Sequence, residues 1–269
     1  MSNHDLWLIP FGRDPKPEDL FLAASYQEAF ARLELMVEYR YLGLLTGEVG
    51  SGKSTLIRRL FTAMDPLKYQ PVYLNLADLK PRDFYSELLF HAGERPPYSL
   101  TKAKRLWNGL LEERAAQNDR TFLVVIDEAQ TLSEAMFIEL RFAMSHRLDS
   151  CSLFPLILVA QSEIRRPLNL KKNAALAQRI QLSFHLSGLS KDEVAQYVRH
   201  RMSVAAVDSP VFAEGALSML YSATQGIPRL INQFAGQALL EALTKNLQVI
   251  DENMVGRVLA DYDRQRKPA

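Results

Sequence analysis

One cysteine, Cys151, stands among 269 residues. A single thiol excludes an intramolecular disulfide framework and fits a reducing compartment. No histidine of the five falls beside it at metal-ligand spacing, which argues against a zinc site. Charge of either sign is not in excess either: 32 Lys and Arg face 31 Asp and Glu, a formal net charge of +1. No global field draws in nucleic acid, so any such contact must come from local patches. Long apolar runs are missing, and no stretch approaches the roughly 18 residues that span a bilayer. The leading residues MSNHDLWLIPFGRDPKPEDL carry no basic start and no apolar core, unlike a secretion signal. These absences together predict a soluble, cytoplasmic chain without membrane contact. Internal repeats and low-complexity tracts are also lacking.

What is present is an alternation of apolar strands and helices. Leu42 to Thr46, Val72 to Leu76, Phe122 to Ile126, Phe154 to Ala160 and Leu182 to Leu186 read as strands. Between them lie helical patterns. One opens at Ser25 with Glu28 as a capping box, others run over 53–64, from Pro81 to His91 and from Thr101 to Gln117, and one begins at Ser133. Such alternation predicts a parallel five-stranded α/β sheet flanked by helices. After Leu189 no strand pattern remains. Ser190 and Glu193 form a second capping box, and helical segments over 191–206, 213–224, 228–246 and 251–262 predict an all-helical unit. The expected divisions are an N-terminal segment at 1–24, an α/β core at 25–188 and a helical lid with a short tail at 189–269.

Gly47-Glu-Val-Gly-Ser-Gly-Lys53-Ser54 fits GxxxxGK[ST] and sits between a strand and a helix. That pattern and context predict a phosphate-binding loop. Backbone amides of Gly47, Glu48, Val49, Gly50, Ser51, Gly52, Lys53, Ser54 and Thr55 would surround the phosphates of ATP, with Lys53 on the β- and γ-phosphates and Ser54 on Mg²⁺. Leu123-Val-Val-Ile-Asp127-Glu128 is an apolar strand ending in two carboxylates, costly without a cation. Asp127 is the second metal-side group, and Glu128 the group that polarises the attacking water. Gln161 ends the strand Leu156 to Ala160, at the edge where open α/β sheets hold ligands. Arg179, just before the last strand, and Arg229, in Gly226-Ile-Pro-Arg229, are the cation candidates; Arg165 and Arg166 compete with Arg179. The local basic patches, where any contact to nucleic-acid phosphates would have to fall, are Lys102, Lys104 and Arg105 after the Pro96-Pro97 loop, and Lys171 with Lys172.

In this order the motifs resemble the AAA+ ATPases across nearly the whole chain: phosphate loop, Asp-Glu strand, polar sensor strand, arginine finger, and helical lid with a Gly-x-Pro-Arg sensor. Within them, Val125-Ile-Asp-Glu-Ala-Gln130, Leu158-Val-Ala-Gln-Ser-Glu163, Gln178-Arg-Ile180 and Ile227-Pro-Arg-Leu-Ile-Asn232 are similar to the ExeA-like group. Pro81-Arg-Asp-Phe-Tyr85, Leu140-Arg-Phe142 and Arg147-Leu-Asp-Ser150 look more like its compact, transposon-associated kind, similar in role to TnsC, TniB, IstB and MuB. Two departures stand out: Ala160 where glycine is common, and Gln130 where many relatives have histidine. The resemblance implies a ring or filament of this chain, with ATP at each junction and Arg179 supplied by the neighbour. It also implies assembly on duplex DNA and recruitment of a DDE transposase. The alternatives are an ATPase that assembles a secretion or pilus system, acting on protein, and a nucleotide-gated switch without turnover, which the intact Glu128 disfavours.

Overall fold

The computed structural model describes residues 10–12, 15–145 and 152–266. Cys151, the stretch 147–150 and Lys267 lie outside the described residues. The chain divides into two compact units. One is built from residues 27–47 and 53–186, the other from 1–26, 48–52 and 187–269. Helix α1 (Ala24–Glu38) begins in the second and runs into the first.

The larger unit is a parallel sheet of five strands: β1 (Leu42–Gly47), β2 (Tyr69–Leu74), β3 (Thr121–Ile126), β4 (Leu156–Ala160) and β5 (Ile180–Leu186), ordered β2-β3-β4-β1-β5. Every residue of the inner strands β1 and β4 is buried, and all but the first of β3, as strands covered on both faces require. The edge strands alternate instead, with Val72 and Leu74 buried beside exposed Pro71 and Tyr73. Leu42, Leu44, Val72, Leu74, Phe122, Val124, Ile126, Leu156 and Leu158 line one face, packed with α3 (Pro81–His91), α4 (Leu100–Gln117) and α5 (Glu134–Ala143). Trp107 of α4 anchors this core, its ring 4.8 Å from Phe122 and 5.8 Å from Phe154. Alternation sends Leu45, Leu123, Val125, Ile157 and Val159 to the opposite face. There Met36 of α1 lies against Gly43, and α2 (Lys53–Ala63) packs on β1.

The smaller unit is mainly helical: α8 (Lys191–Val204), α9 (Glu214–Thr224), α10 (Pro228–Thr244) and α11 (Glu252–Arg266), which follow the short α6 (Arg165–Leu168) and α7 (Ala174–Ala177) of the larger unit. Its core gathers Val194, Leu217, Leu220, Ile231, Ala235, Leu239 and Val255, together with Phe11 of the leading segment. Arg201, buried in α8, holds that segment by donating to the carbonyls of Pro10 at 2.5 Å and Gly12 at 2.8 Å. Among the described residues no helix is long and apolar enough to cross a membrane.

The structure corrects three local expectations. The second strand runs over 69–74 rather than 72–76, because it pairs residue for residue with β3 from Tyr69↔Thr121 to Leu74↔Ile126, and β3 ends there. The Ser25–Glu28 capping box does not form. Helix α1 already begins at Ala24, whose amide donates to Glu193 of α8 at 3.2 Å, while Glu28 pairs with Arg32. Glu193 also completes the Ser190 capping box, so one carboxylate serves two helix starts. A ladder does exist beyond Leu189: Val211–Phe212 pairs in parallel with Val249–Ile250, two residues each and too short to leave a period in the sequence.

Candidate functional site

In a parallel sheet all strand ends of one sense share an edge. Thr46 pairs with Ala160 and Ile126 with Leu158, so the chain leaves β1, β3 and β4 on the same side with Gly47, Asp127 and Gln161.

After β1, Gly50 (φ +84°) and Gly52 (φ +104°) take left-handed conformations that a side chain would strain. The Ser51 amide closes the turn on the Glu48 carbonyl at 3.1 Å. Helix α2 then starts at Lys53, so its first-turn amides have no partner within the helix and form its positive end. The Lys53 ammonium folds back to the Gly47 carbonyl at 2.8 Å. Ser51 Oγ is buried with no hydrogen-bond partner among the described residues, and a Cβ on Gly52 would meet nothing within 4 Å. A buried hydroxyl, the positive end of a helix, a nearby ammonium and open space on a glycine fit the oxygens of a polyphosphate. Ser54 is exposed in the first turn of α2, with Thr55 half-buried beside it.

At the end of β3, Asp127 is 6% exposed. Its Oδ1 accepts from the Glu128 amide at 2.8 Å, and its Oδ2 accepts from the Tyr73 hydroxyl. Burial, and then that carboxylate, raise the pKa of the Tyr73 phenol above its usual range, so it stays neutral and a donor. Glu128 itself adopts a left-handed conformation (φ +51°), an uncommon state for a non-glycine residue. It turns the chain into the short 3₁₀ turn Ala129–Thr131, where Thr131 Oγ1 donates to the Glu128 carbonyl at 2.9 Å. This turn brings Gln130 back: its amide nitrogen donates to Glu128 Oε2, and its amide oxygen accepts from the Gln161 backbone at 3.0 Å. The Gln161 side chain donates to the same Glu128 oxygen at 3.3 Å. Two amides thus aim one carboxylate. Of the sequence-derived residues, Asp127, Glu128 and Gln161 are brought together here. Gln130 and Tyr73 join them and had no assigned role.

Arg179 lies elsewhere. It precedes β5, whose Ile180 pairs with Leu42 at the start of β1. From Leu42 to Gly47 the sheet rises about 16 Å, so Arg179 sits at the edge opposite the loop. Its guanidinium donates to the Arg141 carbonyl of α5. Arg165 and Arg166 lie on α6, after β4. In the smaller unit, Arg229 follows Pro228 at the start of α10. Its amide donates to the Gly50 carbonyl at 3.2 Å, and its Cβ would stand 2.5 Å from a Cβ on Gly50.

The basic candidates separate. Lys102 and Arg105 are exposed on α4. Lys104 turns inward to the buried Glu139 of α5, which also accepts from the Tyr85 hydroxyl at 2.8 Å. Lys171 is exposed, and Lys172 pairs with Glu134.

Comparison with known proteins agrees with this architecture. Residues 36–168 match the family described as AAA domain. General secretion pathway protein A of Aeromonas hydrophila is 32% identical over 240 residues, covering 88% of this chain; the chain spans only 43% of that protein's length. Among solved structures, the ORC2 protein of Aeropyrum pernix in its ADPNP–ADP complexes is similar with a TM-score of 0.63 at 19% identity, covering 93% of this chain and 71% of that one. The ORC1 protein of the same organism, in complex with DNA, gives a TM-score of 0.64 at 16% identity, covering 97% and 70%. At such identity these likenesses speak for the fold.

Proposed function

We propose that this chain, an AAA+ ATP hydrolase whose residues 36–168 match the AAA domain family, works as an ATP-dependent oligomer on duplex DNA and serves as a transposition helper that selects target DNA and recruits a DDE transposase. The observation that carries the mechanistic part is the pairing of a Glu128 carboxylate aimed by two amides with an arginine held at the far edge of the same sheet.

Each residue then has a task. The amides from Gly47 to Thr55 bind the phosphates, and Lys53 leaves the Gly47 carbonyl for the β- and γ-phosphates. Ser54 and Asp127 would hold Mg²⁺, which when bound shields the charge of the transferring phosphoryl group. Glu128 takes a hydrogen bond from the attacking water and polarises it. Gln130 and Gln161 fix the direction of that carboxylate. Arg229, whose backbone rests on Gly50, reports on the loop through α10. Arg179 stands about a sheet's depth from its own loop, which supports action on a neighbouring copy's nucleotide. An arginine supplied in trans is worth about 10³–10⁵ in rate, so isolated subunits turn over slowly and assembly switches hydrolysis on.

The DNA-bound ORC1 likeness and the exposed Lys102 and Arg105 support a nucleic-acid partner. The identity with general secretion pathway protein A favours a second reading, an ATPase that assembles a secretion or pilus system and acts on protein. Binding to duplex DNA separates the two. The protein is tested without nucleotide, with ADP, with a slowly hydrolysed ATP analogue, and as Glu128→Gln with ATP, and the products are imaged by negative stain. ATP-dependent rings or filaments on DNA are expected. ATP-driven assembly that ignores DNA would overturn the transposition role and leave the secretion reading.

A further inference from the structure

We propose that Tyr73 is a positioning residue for the cation side of the site, a hydroxyl that fixes how Asp127 presents its oxygens. The inference rests on the assignment of Asp127 to Mg²⁺.

Tyr73 sits one residue before the end of β2, the edge strand beside β3. Its neighbours Val72 and Leu74 enter the core with α3 and α4, so alternation points Tyr73 to the opposite face. There its ring meets Phe61 of α2 edge-on, with centroids 6.4 Å apart. The residue remains 39% exposed, so core filling does not account for a large aromatic at this position. Its polar end does. The hydroxyl donates to Asp127 Oδ2. A neutral phenol has one proton to give and lone pairs to receive.

One consequence follows for a cation. Asp127 is fixed at both oxygens, by the Glu128 amide at 2.8 Å on Oδ1 and by Tyr73 on Oδ2. Each carboxylate oxygen keeps a further lone pair for the cation or a water bound to it. Groups that orient metal ligands in this way typically change metal affinity by about 10- to 100-fold when removed.

The test is Tyr73→Phe, which keeps the ring on Phe61 and removes only the hydroxyl. Affinity for a fluorescent ATP analogue is measured with Mg²⁺ and again in EDTA, beside a thermal melt of the nucleotide-free protein. The wild type is expected to bind more tightly with Mg²⁺. Tyr73→Phe is expected to lose roughly tenfold of that tightening, with its EDTA affinity and melt unchanged. In an Asp127→Asn background the same substitution is expected to add nothing, because Tyr73 acts through Asp127. Unchanged tightening in Tyr73→Phe would overturn the inference. So would equal losses with and without Mg²⁺, the mark of a general structural role, or stronger tightening, the mark of a competitor for the cation's place. A wild type that Mg²⁺ does not tighten would overturn the magnesium assignment itself, and the inference with it.

Discussion

Replacing Gln130 by Ala removes one of the two amides that aim Glu128. The bond removed runs to an ionised carboxylate, and such bonds contribute about 1.5–3 kcal/mol. The Gln161 backbone amide loses its acceptor in the same step, which loosens the second amide as well. If that energy is realised mainly when Glu128 meets water, then at 1.36 kcal/mol per tenfold kcat falls by about 10- to 100-fold. Nucleotide affinity should hold, because Gln130 hydrogen-bonds to Glu128 and Gln161 and to no residue of the loop. Steady-state ATP turnover that separates kcat from KM, together with binding of a fluorescent nucleotide, measures both. Gln130→Glu probes the same pair from the other side: a second carboxylate cannot donate to Glu128 and repels it, so kcat should fall at least as far. A Gln130→Ala kcat within twofold of wild type, or a loss that falls wholly on nucleotide affinity, would refute the reasoning.

Two further outcomes test other parts of the molecule. Glu241 of α10 accepts from Lys245 at 2.7 Å and from Arg257 of α11 at 2.8 Å, and these bonds, the first above all, hold its pKa below the usual carboxylate range. A depressed pKa contributes stability above the unfolded value of about 4.3 and loses it as pH falls through the folded value. Glu241→Gln should thus cost ~0.5–1 kcal/mol at pH 7, and urea denaturation should find the gap to wild type closing below about pH 4; a gap that persists there would contradict the assignment. Lys102→Glu with Arg105→Glu should flatten the salt dependence of DNA binding, the log–log slope becoming shallower by about 1 for each phosphate no longer neutralised; an unchanged slope would exclude this face of α4.

Much of the sheet was legible because burial on both faces forces continuous apolar runs, and Leu123 to Ile126 and Leu156 to Val159 have little else in them. The glycine turn between β1 and α2 was legible because its glycines answer a local backbone need, seen here as the positive φ of Gly50 and Gly52. What stayed hidden depends on partners distant in sequence. Gln130 read as a departure from its relatives, because nothing local says that a left-handed Glu128 folds the chain back and lets that amide both donate to the carboxylate and accept from Gln161. Tyr73 read as one more apolar strand residue, since its partner Asp127 lies 54 positions away. Lys104 looked like one of three basic residues on a face until Glu139, 35 positions on, claimed its charge. The same holds for Phe11, an aromatic in a proline-rich lead whose place in the helical core depends on Arg201 holding the carbonyls beside it.

The most direct test of assembly-coupled hydrolysis mixes two variants. Arg179→Ala keeps its own loop, Asp127 and Glu128 but brings no arginine to a neighbour. Glu128→Gln keeps Arg179 but cannot activate water. Each alone should bind nucleotide and turn over at least about 10³-fold more slowly than wild type. Mixed, they form junctions in which an intact Glu128 site faces an intact Arg179, and ATP turnover should rise well above the sum of the two. A mixture as inactive as its parts, or an Arg179→Ala protein that turns over at full rate alone, would contradict an arginine acting across the subunit junction.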